Sequence, residues 1–353
     1  MTTTTTRETL EARIRDGDVI QGTDLTGADL SGADLSGAIF EGAVLAGANL
    51  QGANFKESTF TGCDLRGARM DGGCFVRTTL YSSRLDGARF DGADLGGTRV
   101  IECKMPGAHL SRATFTAASF VQCDLTGAVI GEATLERTTF LDCRLDGLTL
   151  TLSTLDMSVM LRSDLRTVQW GGARLKLVSL VESKLAGADL SGMDFTLCQF
   201  VSADLQGANL QRCRLDRANF QGANLRGANL SEAIADNASF LEASLEGAVL
   251  SRARLRQALF VGADLTRARF QSADMQQAQL TRARCSGADF SNADLTYVDF
   301  SHADLTDAVM HGATQMRARF HSTNTSGLAG RSRVVTLGDD EPLARAERWT
   351  PKY

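Results

Sequence analysis

Proline is almost missing from this chain: Pro106, Pro342 and Pro351 are the only three in 353 residues. Such a composition suits a backbone whose N–H groups must nearly all pair between strands, because proline has none to give. Tryptophan (two), tyrosine (three) and histidine (four) are scarce too. The sequence holds no His-Glu-x-x-His, no paired Cys-x-x-Cys and no glycine-rich phosphate loop ahead of a helix. His109, His302, His311 and His321 are scattered. His302 and His321 approach each other near the C-terminal end but lack an obvious third ligand, so they read as a solvated surface pair. The net charge of −5 gives no general signal for nucleic acid. No apolar run is long enough for a signal peptide or a membrane span, so cytoplasmic residence is expected. These absences argue against an enzyme, a cofactor, a metal centre, direct nucleic-acid binding and a membrane partner.

What the chain does have is a period of five. From Ile20 to Phe320 every fifth residue is apolar except Gln315, if Ala235 and Cys285 are admitted, and all 17 phenylalanines fall in this register. A fixed internal period decides architecture before any local propensity does. The residue two before each centre is usually Ala, Ser, Thr or Cys, as a narrow interior beside a large Leu or Phe requires. Neither a helical period of 3.6 nor a simple alternation of two accounts for this spacing. A superperiod of 20 is visible as well. Positions 40, 60, 120, 140, 200, 220, 240, 260, 300 and 320 are all Phe, and the column from Leu25 to Leu305 is Leu except for Met105 and Cys285.

The best copies are Ala28-Asp29-Leu30-Ser31-Gly32, Ala48-Asn49-Leu50-Gln51-Gly52 and Ala223-Asn224-Leu225-Arg226-Gly227. This pattern resembles the pentapeptide-repeat family over about 300 residues. The resemblance implies a right-handed, four-sided parallel β-helix in which four repeats make one 20-residue coil. It also implies that the centre and the residue two before it point inward. The centres count about 15 coils, or roughly 72 Å of stacked strands. Three segments are expected: residues 1–17 as an N-terminal tail and capping helix, 18–322 as the repeat β-helix, and 323–353 as an irregular tail. In the first, Thr5 and Glu8 fit a capping box, and Leu10 and Ile14 lie one turn apart. In the last, Val334 to Leu337 fits a strand, Leu343 to Arg348 a helical turn, and Trp349 an anchor. The tail either caps the last coil or lies back along the coils.

Six of the eight cysteines (Cys63, Cys103, Cys123, Cys143, Cys198, Cys213) occupy the small inward position. Stacked thiols have the spacing for a disulfide or a soft metal, but a thiol is also a small hydrophobe that fits an alanine slot, and that reading is preferred.

On the outside, the residue after each centre should be polar, and on three faces it mostly is. On the fourth the column reads Tyr81, Ile101, Val121, Leu141, Leu161, Val181 and Val201. Soluble proteins rarely leave such a stripe uncovered. Leu152, Met157, Val159 and Leu177 are further outward hydrophobes in the same coils. The stripe is therefore the candidate site for another protein or for a second copy in a homodimer. A non-enzymatic interaction scaffold or adaptor follows from it, and the resemblance implies accessory parts of bacterial secretion machinery as one setting. The alternative implied by the resemblance is a DNA mimic that binds DNA gyrase or topoisomerase IV and protects it from inhibitors. Its candidate acidic faces are Asp24, Asp29 and Asp34 near the start and Asp289, Asp294, Asp299 and Asp304 near the end. Elsewhere acids and bases interleave, as in Arg84, Lys104, Asp124 and Arg144, which reads as weak cross-rung ion pairing.

Overall fold

Each repeat closes its backbone on the coil that follows. Leu25 donates its N–H to the Val44 carbonyl at 2.7 Å and Gly27 donates to Ala46 at 2.9 Å, while Val44 donates back to Thr23 at 3.0 Å. The chain then turns a corner at the second residue after the centre, which lies in the left-handed region (φ +63° at Gly27). Glycine is favoured there because it has no Cβ to clash. Parallel bridges Asp24↔Val44, Asp29↔Asn49 and Asp34↔Asn54, with the strand pair Ile39↔Thr59, show one pairing per side and four sides per 20 residues. The computed structural model describes residues 6–332 and 335–347. It is a parallel β-solenoid in two units, Met1–Ser183 and Lys184–Tyr353.

In unit 1, one face is an eight-stranded parallel sheet of three-residue strands: β1 (Val19–Gln21), β2 (Ile39–Glu41), β3 (Thr59–Thr61), β4 (Thr79–Tyr81), β5 (Arg99–Ile101), β6 (Ser119–Val121), β8 (Thr139–Leu141) and β10 (Val159–Leu161). A second face carries β7 (Thr134–Glu136), β9 (Thr154–Asp156) and β11 (Arg174–Lys176). By these strands the solenoid counts about eight turns, fewer than the 15 coils expected from the number of centres. The difference lies in unit 2, where the same 20-residue step is held by single-residue bridges, from Lys184↔Asp204 to Asp304↔Asn324.

The interior matches the inward assignment. Centres are buried, Gln315 included, and so are nearly all the small residues two before them. Phenylalanines stack face to face at the coil spacing: Phe40 on Phe60 at 4.7 Å in unit 1, and Phe200, Phe220, Phe240 and Phe260 at 4.7–5.0 Å in unit 2. Where the small residue is polar, it often caps a centre carbonyl, although Ser83 and Ser163 donate instead to the Tyr81 and Leu161 carbonyls two residues back. Ser58 Oγ donates to Leu35 O (2.7 Å), Thr78 Oγ1 to Phe55 O (2.6 Å) and Thr98 Oγ1 to Phe75 O (2.7 Å), each to the centre carbonyl 23 residues earlier. Cys103 Sγ makes the equivalent, longer contact to Leu80 O at 3.4 Å.

Both chain ends fold over open coils. Helix α1 runs Arg7–Arg15 with Thr6 as its N-cap accepting the Thr9 N–H, while the expected capping residue Thr5 lies outside the described residues. It buries Leu10 completely, and Ile14 only in part. Its polar side chains meet the first coil's unpaired backbone. Arg7 donates to Ser31 O (2.8 Å) and Gly32 O (2.7 Å), and Glu11 Oε1 accepts the Asp34 N–H (3.0 Å). In unit 2 the coil pattern does not stop at 322. Bridges continue to Asn324 and Ala329, and then Leu337 pairs with Arg319 after a shortened step. Helix α2 (Glu341–Glu347) follows, with Asp340 Oδ1 accepting the Leu343 N–H at 3.0 Å as its N-cap. The tail thus caps the last coil. Of the expected strand, Val334 lies outside the described residues, as do the expected anchor Trp349 and Arg348 at the end of the expected helical turn.

Candidate interaction surfaces

The apolar column of unit 1 is built by strand register. Tyr81, Ile101, Val121, Leu141 and Leu161 end β4, β5, β6, β8 and β10, and each is the direct partner of the next. At about 4.8 Å per strand they make a row of roughly 19 Å. Val181 extends it through its carbonyl, which accepts the Arg162 N–H at 3.2 Å. Tyr81 is 40% exposed, while the others are half-buried because stacked neighbours shield one another. Val201, half-buried, holds the same repeat position in unit 2.

Beside this row are the more exposed apolar side chains. Met157 and Leu177, 41% and 42% exposed, occupy the corner that precedes the row, and Leu152, 63% exposed, the corner before that. All three sit at the glycine position with φ of +51° to +58°. A side chain there costs on the order of 1 kcal/mol relative to a right-handed conformation. Large apolar residues are therefore held outward at corners where glycine would be easier.

The acidic faces are differently engaged. Asp24, Asp29 and Asp34 are exposed, and each Oδ1 accepts the N–H two residues on, from Thr26 (2.9 Å), Ser31 (3.2 Å) and Ser36 (3.3 Å). Hydrogen bonds from the Thr26, Ser31 and Ser36 side chains, with those N–H groups, hold the three carboxyls below the usual range. Asn49 and Asn54 of the next coil also donate to Asp29 and Asp34. In unit 2, Asp289, Asp294, Asp299 and Asp304 are half-buried. Gln271 and Gln276 donate to Asp289 and Asp294 at 2.7 Å, Ser286 donates to Asp304 at 2.8 Å, and Arg319 lies 3.5 Å from Asp299. The cross-rung ion pairs form only in places. Arg144 reaches Asp124 at 3.6 Å, whereas Arg84 pairs along its own strand with Asp86 at 3.4 Å.

The histidine pair departs most from expectation. His321 is 1% exposed, not solvated, and α2 brings Glu347 to it. Glu347 lies 3.2 Å from the Nε2 of both His302 and His321. The cysteines other than half-buried Cys74, by contrast, behave as interior filler. All eight are free, and burial pushes the Cys103 thiol up to about 11 and the Cys213 thiol to about 12.

Family models describing "pentapeptide repeats" match residues 23–131, 173–212 and 273–321 in overlapping segments, and a "pentapeptide repeat region" matches 113–190 and 193–270. The chain belongs to the pentapeptide repeat family. No curated protein matches it. Among solved structures it is similar to HetL, a pentapeptide repeat protein involved in heterocyst differentiation regulation from the cyanobacterium Nostoc sp. strain PCC 7120. That match has 27% identity over 72% of this chain and 94% of HetL, with a TM-score of 0.28. It is also similar to a pentapeptide repeat protein of the Arabidopsis thaliana thylakoid lumen (32% identity, 30% of this chain and 66% of that one, TM-score 0.22). A third is QnrB1, a plasmid-mediated fluoroquinolone resistance protein (17% identity, 83% of this chain and all of the QnrB1 chain, TM-score 0.21).

Within the pentapeptide repeat frame, strand register sets Tyr81, Ile101, Val121, Leu141 and Leu161 in one column of unit 1. The sequence reading missed Glu347, whose distance from His302 and His321 along the chain has no repeat spacing to reveal it. Among the described residues, no helix is long and apolar enough to cross a membrane.

Proposed function

We propose that this pentapeptide repeat protein is a non-enzymatic scaffold that binds another protein through the apolar row of unit 1. The observation that supports the reading is the registered series Tyr81, Ile101, Val121, Leu141 and Leu161 on one face alone, flanked by exposed Met157 and Leu177. Val181 is a further member of the proposed binding set. The partner is a protein with a complementary apolar edge. A component of a bacterial secretion assembly is one setting of this kind, and a second copy of the chain is another.

Leu141→Glu with Leu161→Glu tests this. The side chains point outward, so circular dichroism should be unchanged, while a partner captured by the wild type from source-cell lysate should be lost. Capture of the same proteins by both sinks the reading.

A DNA mimic acting on DNA gyrase or topoisomerase IV is the second reading, supported by the exposed and ionised Asp24, Asp29 and Asp34. Since these carboxylates also hold the turns, Asn is the right replacement: it keeps an acceptor oxygen and removes the charge. On the scaffold reading, topoisomerase supercoiling with and without inhibitor is the same for the triple Asn variant and wild type.

A further inference from the structure

We propose that His302, His321 and Glu347 form a site for a divalent transition-metal ion, zinc being the best fit, that ties α2 to the last coils of unit 2. Their three ligand atoms all lie within 4.8 Å of one another. Each histidine Nε2 is 3.2 Å from a different oxygen of Glu347. Ligands around a tetrahedral zinc at roughly 2.0–2.1 Å stand about 3.3 Å apart, so each histidine–carboxylate contact already fits, while the widest separation, up to 4.8 Å, closes as the ion draws the three groups in. The rings are set edge to face, 5.4 Å apart and at 87°, and both aim Nε2 at the same carboxylate. The coil positions them: the His302 N–H donates to His321 O at 2.8 Å, stacking one residue's backbone on the other's.

Two imidazoles and one carboxylate suit zinc, cobalt or nickel, whereas magnesium and calcium take all-oxygen sets. Three protein ligands leave a fourth position for water. An approach exists too. A groove of about 390 Å³ beside Glu347 is lined by Ser322, Asp339, Glu341, Ala344 and Glu347, three of them carboxylates that attract cations.

The proton inventory defines what binding changes. His321 Nδ1 accepts the Asp340 N–H at 3.1 Å, so its proton sits on Nε2, facing Glu347. An ion at Nε2 displaces that proton to Nδ1. Asp339 Oδ1, 4.0 Å from Nδ1, is the carboxylate placed to accept it, as ligating histidines commonly require. The Asp340 N–H then gives up its bond, and the start of α2 shifts.

The test is titration of chelator-treated, full-length protein with Zn²⁺ by calorimetry and with Co²⁺ by visible absorption. One equivalent should bind, with the intense spectrum of tetrahedral Co²⁺. His302→Ala, at a half-exposed position that tolerates truncation, and Glu347→Gln should each weaken binding by more than about tenfold, and Asp339→Asn by about tenfold. His109→Ala should change nothing. Zn²⁺ should also slow amide exchange over 335–347 in the wild type but not in Glu347→Gln. Binding that is equal in wild type, His302→Ala and Glu347→Gln, or absent from all three, overturns the proposal.

Discussion

Two before each centre, the choice among Ala, Ser, Thr and Cys decides whether a centre carbonyl gains a second donor. Phe55 O already accepts the Ser58 N–H at 3.0 Å and takes the Thr78 hydroxyl as well. Thr78→Ala should therefore cost only about 1 kcal/mol in urea unfolding, the net worth of a hydrogen bond whose loss leaves no group stranded. Cys103→Ala should cost less, since the thiol is a weak donor at 3.4 Å. Equal losses would mean the inward slot is governed by volume alone. At the corners the balance has the opposite sign. Leu177→Gly relieves a left-handed leucine (φ +54°) and should stabilise unit 1 by up to about 1 kcal/mol while weakening partner capture. A loss of stability would show that Leu177 packs against its own coil. The small inward slots were legible from one sequence because they recur every five residues. Their hydrogen bonds were not, because the acceptor lies 23 residues away.

Elements at the two ends show why non-repeating segments are harder to read. Helix α1 was foreseeable from Leu10 and the capping pattern, with Thr6 as the cap that accepts the Thr9 N–H. The tail was legible only coarsely: a helical turn and a cap on the last coil were among the expectations, but its rung on Arg319 comes from Leu337, at a spacing no repeat shares. Gln315 stood out in the sequence as the one polar centre, but its reason lies in the tail. Its Nε2 donates to Gly330 O at 2.8 Å and its Oε1 accepts the Ser332 N–H at 2.9 Å. Gln315→Leu restores the apolar pattern and should still loosen the cap. Faster amide exchange over 328–332, with the coils of 184–300 unchanged, is the expected result, and unchanged exchange throughout would remove this role. His302, His321 and Glu347 belong to the same lesson: two members are visible in the repeat, and the third arrives on a helix.

For the molecule as a whole, the carboxylates at the turns set the acid limit of stability. Asp24, Asp29 and Asp34 in unit 1 and Asp304 in unit 2 are held below the ordinary carboxyl range chiefly by side-chain hydrogen bonds. For Asp289 and Asp294, burial pulls upward first, yet the Ser291 and Thr296 hydrogen bonds outweigh it. A lowered folded value contributes stability above the unfolded pKa of about 3.9 and loses it as pH falls through the folded value. Thermal melts should thus be flat from pH 7 to about 5 and fall steeply below about 4. A melting temperature unchanged at pH 3 would show that these contacts hold the turns equally well without charge.

Parallel strands stacked in register, like on like, with phenylalanine over phenylalanine, are also the arrangement by which one chain can seed the growth of another. What stands between this protein and a filament at its first coil is α1, which takes up the Ser31 and Gly32 carbonyls and the Asp34 N–H that an incoming strand would otherwise find open. The helix is small, but it closes to an incoming strand the groups of the first coil that it occupies.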